Sequence, residues 1–257
     1  MVVEYAAGDR PVARKTLLRR LWHLRRCTLA WRPLLIEHAP PWSRRIFGRV
    51  ASHLDMLLVD HGIFRLLYLN KFRLGNRAWR SAQPAPHHIR ALARRGLRTI
   101  INLRGERQCG SYWLERAACE RHGIALVDFR LRSRTPPTRE ELRAVRDLFE
   151  HIEYPVLLHC KSGADRAGVM SVLYLFLVEG VPMVQAKHEL SLRFGHIRHS
   201  DTGVLDYFFE RFIDDTRQRP MPFFEWVDTV YDGEELKRSF RAEGWARRLT
   251  DNILRRE

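Results

Sequence analysis

The sequence predicts an α/β fold: a short, mainly parallel sheet flanked by helices, with helical extensions at its N- and C-terminal sides. Three observations predict it. β-rich runs at residues 98–103 (RTIINL), 124–129 (IALVDF) and 155–159 (PVLLH) alternate with helical patterns, and such alternation implies parallel strands covered by helices. The third run is apolar enough to be the central strand, and the segment behind it (166–179) is apolar nearly all round, as a helix buried on every side requires. A chain of 257 residues with 45% hydrophobic content is long enough to bury one sizeable core.

Taken in order, residues 1–70 read as a basic, mostly helical extension, broken by Pro33, Pro40 and Pro41. Within it Leu17, Leu21 and Leu24 fall at helical spacing among arginines, the pattern of an interfacial membrane helix or of a helix docked on its own domain. The core is expected over residues 71–212. There His87 and His88 read as loop, and residues 111–122 as a helix leading to the second strand. Pro136 and Pro137 make a turn, after which Thr138 and Glu141 form a capping box. Behind that cap Leu142, Val145, Leu148, Phe149 and Ile152 repeat at helical spacing. Helices are expected at 183–194, 203–212 and 234–254, the last in a C-terminal extension (213–257) that packs on the core. The longest nearly apolar run, 169–178, is about half the ~20 residues a membrane span needs.

The charge is not ordinary: 45 lysines and arginines against 30 acids give +15. Residues 1–50 alone hold eleven basic against three acidic residues, which favours an anionic partner and admits peripheral contact with a membrane surface. Four cysteines (Cys27, Cys109, Cys119, Cys160) without a CxxC pair do not make a disulfide framework and fit a reduced, cytoplasmic compartment.

One segment carries chemistry. His159-Cys160-Lys161-Ser162-Gly163-Ala164-Asp165-Arg166 lies between the central strand and the buried helix. A thiol at that junction meets a helix N-terminus, whose dipole and unpaired N–H groups favour the thiolate. Small residues at Ser162, Gly163 and Ala164 let the backbone curl into a ring of N–H donors matched to phosphate oxygens. Arg166, five residues past the cysteine, returns to the same centre with a planar fork. A thiolate inside an anion cradle implies covalent catalysis on phosphorus, with no metal or other cofactor.

Residues 159–168 (HCKSGADRAG) resemble the HCxxGxxR signature of the protein tyrosine and dual-specificity phosphatases. They are similar above all to small bacterial members whose loop carries an aspartate before the arginine. The resemblance spans about residues 79–194 and includes RSAQP (80–84) and TIINLR (99–104). It implies a phosphocysteine on Cys160, phosphate held by Arg166 and residues 161–165, and a general acid on an earlier loop. Asp128, 32 residues before the cysteine, is the favoured acid, with Asp165 its rival; His159 orients the loop. Where the family usually has Ser or Thr after the signature arginine, this chain has Ala167, which implies slow hydrolysis of the phosphoenzyme.

Lys161, Arg130, Arg132 and Arg134 make the mouth cationic and favour substrates with more than one phosphate, unless the three arginines pair with Glu140, Glu141 and Asp147. The substrate is a phosphorylated protein, or an anionic phospholipid or phosphoglycolipid. A phospho-ligand-binding module with weak catalysis, its decay marked by Ala167, is the rival of another class. A nucleic-acid-binding protein would need a reading motif that is absent. His196 and His199 have the spacing of two metal ligands but no identifiable third. Cys109 or Cys119 is a candidate for a protective disulfide with an oxidised Cys160.

Overall fold

A computed structural model describes residues 69–242. The basic stretch at 1–50, its helix around Leu17–Leu24 positions, Cys27 and the end of the final expected helix lie outside the described residues. Strands β1 (Phe72–Leu74), β2 (Ala78–Ala82), β3 (Thr99–Asn102), β4 (Ala125–Asp128) and β5 (Val156–Cys160) form one sheet in the order β1-β2-β5-β3-β4. The last four are parallel, and β1 runs antiparallel at the edge. The run predicted to be central is the middle strand.

Helices α1 (Pro86–Ala93), α2 (Gly110–His122), α3 (Arg139–His151) and α4 (Asp165–Leu177) cover the sheet. Side chains alternate across it: Ile100 and Leu157 join Ile89, Leu92 and Cys119 on the α1/α2 face, while Ile101, Leu158 and Cys160 join the α3/α4 face. Thr138 and Glu141 make the predicted capping box on α3, each closing the other's backbone N–H at 2.9–3.1 Å.

Helix α5 (Met183–Ala186), three 3-10 turns (Lys187–Glu189, Leu192–Phe194, Asp201–Gly203), α6 (Val204–Gln218), α7 (Phe223–Thr229) and a helical segment at 233–242 complete the fold. Phe208, Phe212, Phe223, Trp226 and Tyr231 interlock edge-on or stacked at 5.1–6.4 Å and continue the α3/α4 core. The division expected at 212/213 falls inside α6.

Three local expectations are corrected. The helix expected at 183–194 breaks after one turn, because the Glu189 carbonyl is taken by the buried Arg80 side chain and Leu190 packs against Gly168. His87 and His88 are not loop: Pro86 starts α1 ahead of them. Leu175, Phe176 and Leu177 leave the last turn of α4 only partly buried, so that helix is enclosed over Ala167–Tyr174 rather than along its whole length. Among the described residues no helix is long and apolar enough to cross a membrane.

Candidate active site

The parallel strands deliver their C-terminal residues to one edge, the usual place for a site in such a sheet. Ala82 pairs with Cys160, and Asn102 pairs with His159 on one side and Asp128 on the other. Asp128 therefore sits two strands from His159.

The loop from Cys160 to Asp165 is shaped from behind. The Lys161 carbonyl accepts from the Gln83 N–H at 3.4 Å, and that of Ser162 from Asn70 Nδ2 at 3.0 Å. Arg80 Nη2 donates to the carbonyls of Gly163 and Ala164 at 2.6 and 3.1 Å. In a planar trans peptide the N–H points opposite to the C=O. Holding four successive carbonyls outward thus turns the N–H groups of residues 162–165 into the mouth of the loop, as an anion-binding nest requires. Arg80 is wholly buried, stacks 4.0 Å from the Phe194 ring and gives Nη1 to both the carbonyl and the carboxylate of Glu189 at 2.6 Å. Burial lowers its pKa, and the bond to Glu189 opposes that. Gly163 adopts φ +78°, and a Cβ there would stand 2.7 Å from the Ala82 nitrogen, so the loop can pass β2 only as glycine.

Cys160 is buried at the loop's base, in the core on the α3/α4 face. Cys119 lies in the core of the opposite face, so the sheet separates the two thiols and rules out the disulfide considered for that pair. His159 Nδ1 lies 3.3 Å from the Cys160 carbonyl, and its Nε2 is 2.7 Å from Glu115 Oε1, both side chains fully enclosed. That second approach has ion-pair distance without hydrogen-bond alignment. Glu115 in turn accepts from Gln83 Nε2 at 2.7 Å, and Gln83 Oε1 accepts from Arg104. A polar chain thus runs under the loop from β5 through α2 to the end of β3.

Arg166 Nη1 donates to the Leu103 carbonyl at 3.3 Å. Asp128 is exposed, and its two oxygens accept from Asn102 Nδ2 at 2.7 Å and the Tyr112 hydroxyl at 2.6 Å. Burial, the bond to Asp128 and its charge raise the Tyr112 pKa above its usual range, so the hydroxyl stays a donor. Asp165 Oδ1 instead meets His196 Nδ1 at 2.8 Å, and His196 Nε2 meets Asp206 Oδ2 at 2.6 Å. Both ring nitrogens are thereby taken by carboxylates, and His196 joins the loop to α6. Ala167 is fully buried.

Arg80, Asn70, Gln83, Glu115, His196 and Asp206 were not singled out for these roles by the sequence. RSAQP held two of them as part of a resemblance, and HxxH held a third under a metal reading; the remaining three carried no local signal.

His196 has a measurable consequence. Burial disfavours its charge, but the bonds and charges of Asp165 and Asp206 prevail and raise its pKa to about 9 from 6.5. A raised histidine stabilises in full below its unfolded value of 6.5 and loses that contribution as pH rises through about 9. Urea unfolding of the native chain and His196→Gln is expected to show a stability gap at pH 6 that shrinks by up to about 3 kcal/mol by pH 10. A gap independent of pH would contradict the ion-paired histidine.

A mostly parallel, helix-covered sheet whose central strand ends in cysteine under a ring of inward N–H groups defines a cysteine-dependent phosphatase. Residues 70–202 match the model of the family described as "DSP-PTPase phosphatase fused to NAD+ Kinase", and the chain belongs to this dual-specificity-type protein tyrosine phosphatase family. Among solved structures it is similar to TpbA of P. aeruginosa at 20% identity, covering 66% of this chain and 90% of that one with a TM-score of 0.44. It is also similar to Tk-PTP in the active form (20%, 56% and 98%, 0.43) and to PTPMT1 (18%, 58% and 99%, 0.43). No curated protein matches the sequence.

Proposed function

We propose that the chain, a phosphatase of the protein tyrosine or dual-specificity type, hydrolyses phosphomonoesters without metal through a phosphocysteine on Cys160. The observation that carries this is the set of four carbonyls held outward behind residues 161–164 by Gln83, Asn70 and Arg80. The thiolate of Cys160 attacks phosphorus; the S–P bond forms as the bond to the leaving oxygen breaks. The inward N–H groups and Arg166 bear the charge on the equatorial oxygens. Asp128 gives its proton to the leaving oxygen. Water then attacks the thiophosphate, returns a proton to Asp128 and releases inorganic phosphate and the thiolate.

The choice of Asp128 rests on its neighbours. An acid must reach the leaving oxygen, and the Asp128 carboxylate is exposed at the C-terminal end of β4, oriented by Asn102 and Tyr112. Asp165 is instead turned to the buried His196, which Asp206 holds from its other side.

Rapid-quench assays in EDTA are expected to show a burst of leaving group approaching one equivalent, with phosphate trapped on the protein and absent in Cys160→Ser. The burst follows from Ala167, which offers no hydroxyl to ease thiolate departure in the second step. Ala167→Ser is expected to shrink the burst and raise steady-state turnover severalfold. Turnover unaffected by Cys160→Ser would sink the proposal.

A further inference from the structure

Arg130, Arg132 and Arg134 follow β4 directly, and all three are exposed, while Leu131 between the first two is buried. The inward leucine places Arg130 and Arg132 together on the outer side of the loop. Their position relative to the cradle is set by one oxygen. The Leu103 carbonyl accepts both the Arg166 Nη1 bond at 3.3 Å and the Leu131 N–H at 3.3 Å. The peptide joining Arg130 to Leu131 therefore lies beside the signature arginine, with Arg132 one residue farther along the loop. The stem of Arg130 is also fixed: a Cβ built on Gly105 would lie 3.0 Å from its Cβ and 3.6 Å from its Cδ. At φ +69° Gly105 lets the chain turn under that stem, which crosses the turn directly after Leu103 and Arg104.

None of the three arginines has an ion-pair partner among the described residues. The acids that could have neutralised them are committed elsewhere. Glu141 closes the Thr138 cap, and Asp147 pairs with Arg146. Glu140 lies in the first turn of α3, where the helix N-terminus favours its charge. Some arginines farther from the site do find acids: Arg143 pairs with Asp228, Arg198 with Glu210 and Arg211 with Asp215. Like charges at alternate positions repel one another, and beside an anion cradle the repulsion is relieved by a second anion.

We infer that Arg130 and Arg132, with Arg134 at the outer end, form a second anion subsite beside the cradle, and that the preferred substrate is a small phosphomonoester carrying a second phosphate close to the first. This rests on residues 160–166 being the phosphate cradle. A guanidinium fork takes a phosphate in two parallel bonds, so the subsite suits phosphate better than a lone carboxylate. The short path from Arg166 through one carbonyl to Leu131 demands closely spaced phosphates, as on neighbouring carbons of a polyol. Phosphates on two separate peptide side chains would span the gap poorly.

The test compares kcat/KM for a vicinal inositol bisphosphate and the matching inositol monophosphate, in the native chain and in Arg130→Ala/Arg132→Ala. The native chain is expected to prefer the bisphosphate at least about tenfold, the effect of one good charge-assisted contact. In the double variant the ratio should fall to near one, with an unchanged melting temperature. A ratio that persists, or equal loss on both substrates, overturns the subsite. Preference only for a bisphosphate headgroup on phosphatidylcholine vesicles, or for a doubly phosphorylated peptide over the polyol, overturns the commitment to one small molecule. If neither inositol phosphate is turned over, the hydrolysis reading has failed on this class, and calorimetry still decides the subsite. Cys160→Ser should then bind the bisphosphate at least about tenfold tighter than the monophosphate, and lose that margin when Arg130 and Arg132 are also replaced. Equal affinities would overturn it.

Discussion

Arg80→Met is expected to remove phosphate binding and to cost about 3–5 kcal/mol of stability, the toll of stranding one partner of a buried ion pair. The side chain is wholly buried and spreads its guanidinium over the carbonyls of Gly163, Ala164 and Glu189 and the Glu189 carboxylate. Methionine fills much of the volume but supplies no donor, so the carbonyls of Gly163 and Glu189 and the Glu189 carboxylate lose their partner, while the Ala164 carbonyl keeps the Gly168 N–H at 2.9 Å. The Gly163–Ala164 peptide is then free to rotate, and rotation turns its carbonyl toward the bound phosphate. Arg80→Lys is expected to fold better and still bind phosphate at least about tenfold more weakly, since one ammonium cannot span acceptors arranged for a planar fork. Urea unfolding and the Ki of tungstate read the two effects separately. A variant with native tungstate affinity would show that the loop holds its shape unaided.

Asp128→Asn is expected to lower kcat on phenyl phosphate by about a hundred- to ten-thousand-fold, the usual contribution of a positioned acid. With a leaving group that departs without a proton, such as 4-nitrophenolate, the loss should be much smaller. The descending limb of the pH–rate profile should vanish, because it reports the proton held for the leaving oxygen. Asp165→Asn should keep that limb and lose less than about tenfold: its amide oxygen can still accept from His196, whose second partner Asp206 remains. The opposite pattern, with the limb surviving in Asp128→Asn and lost in Asp165→Asn, assigns the proton to the loop instead.

The legible parts of this molecule were those in which local sequence and tertiary role agree. β3, β4 and β5 show as β-rich runs, and α3 announces itself by its cap. Cys160 and Arg166 lie within one short loop whose small residues explain themselves. β2 was less legible because its middle residue is a charged side chain with no exposure at all; a pattern that sorts polar from apolar has no place for Arg80. The same residue hid the break in the 183–194 segment, since the carbonyl it captures at Glu189 lies 109 positions away. His196 showed only an HxxH spacing with no third ligand, because its partners, Asp165 and Asp206, approach it from two other elements. Nor could the sequence decide whether Arg130, Arg132 and Arg134 were neutralised: the capping box accounts for Glu141, but only the fold shows that Asp147 pairs with Arg146.

The outward carbonyls of residues 161–164 bear on how such a site is inherited. Every group that holds them, on Asn70, Arg80 and Gln83, lies outside the eight residues that mark the motif. Grafting HCKSGADR onto another strand–helix junction would carry the thiol and the guanidinium but leave the mould behind. The smallest portable unit of this chemistry runs from Asn70 to Asp206. A remote relative that keeps the motif while losing an arginine at the position of Arg80 would be a scaffold that has begun to drift toward some other use.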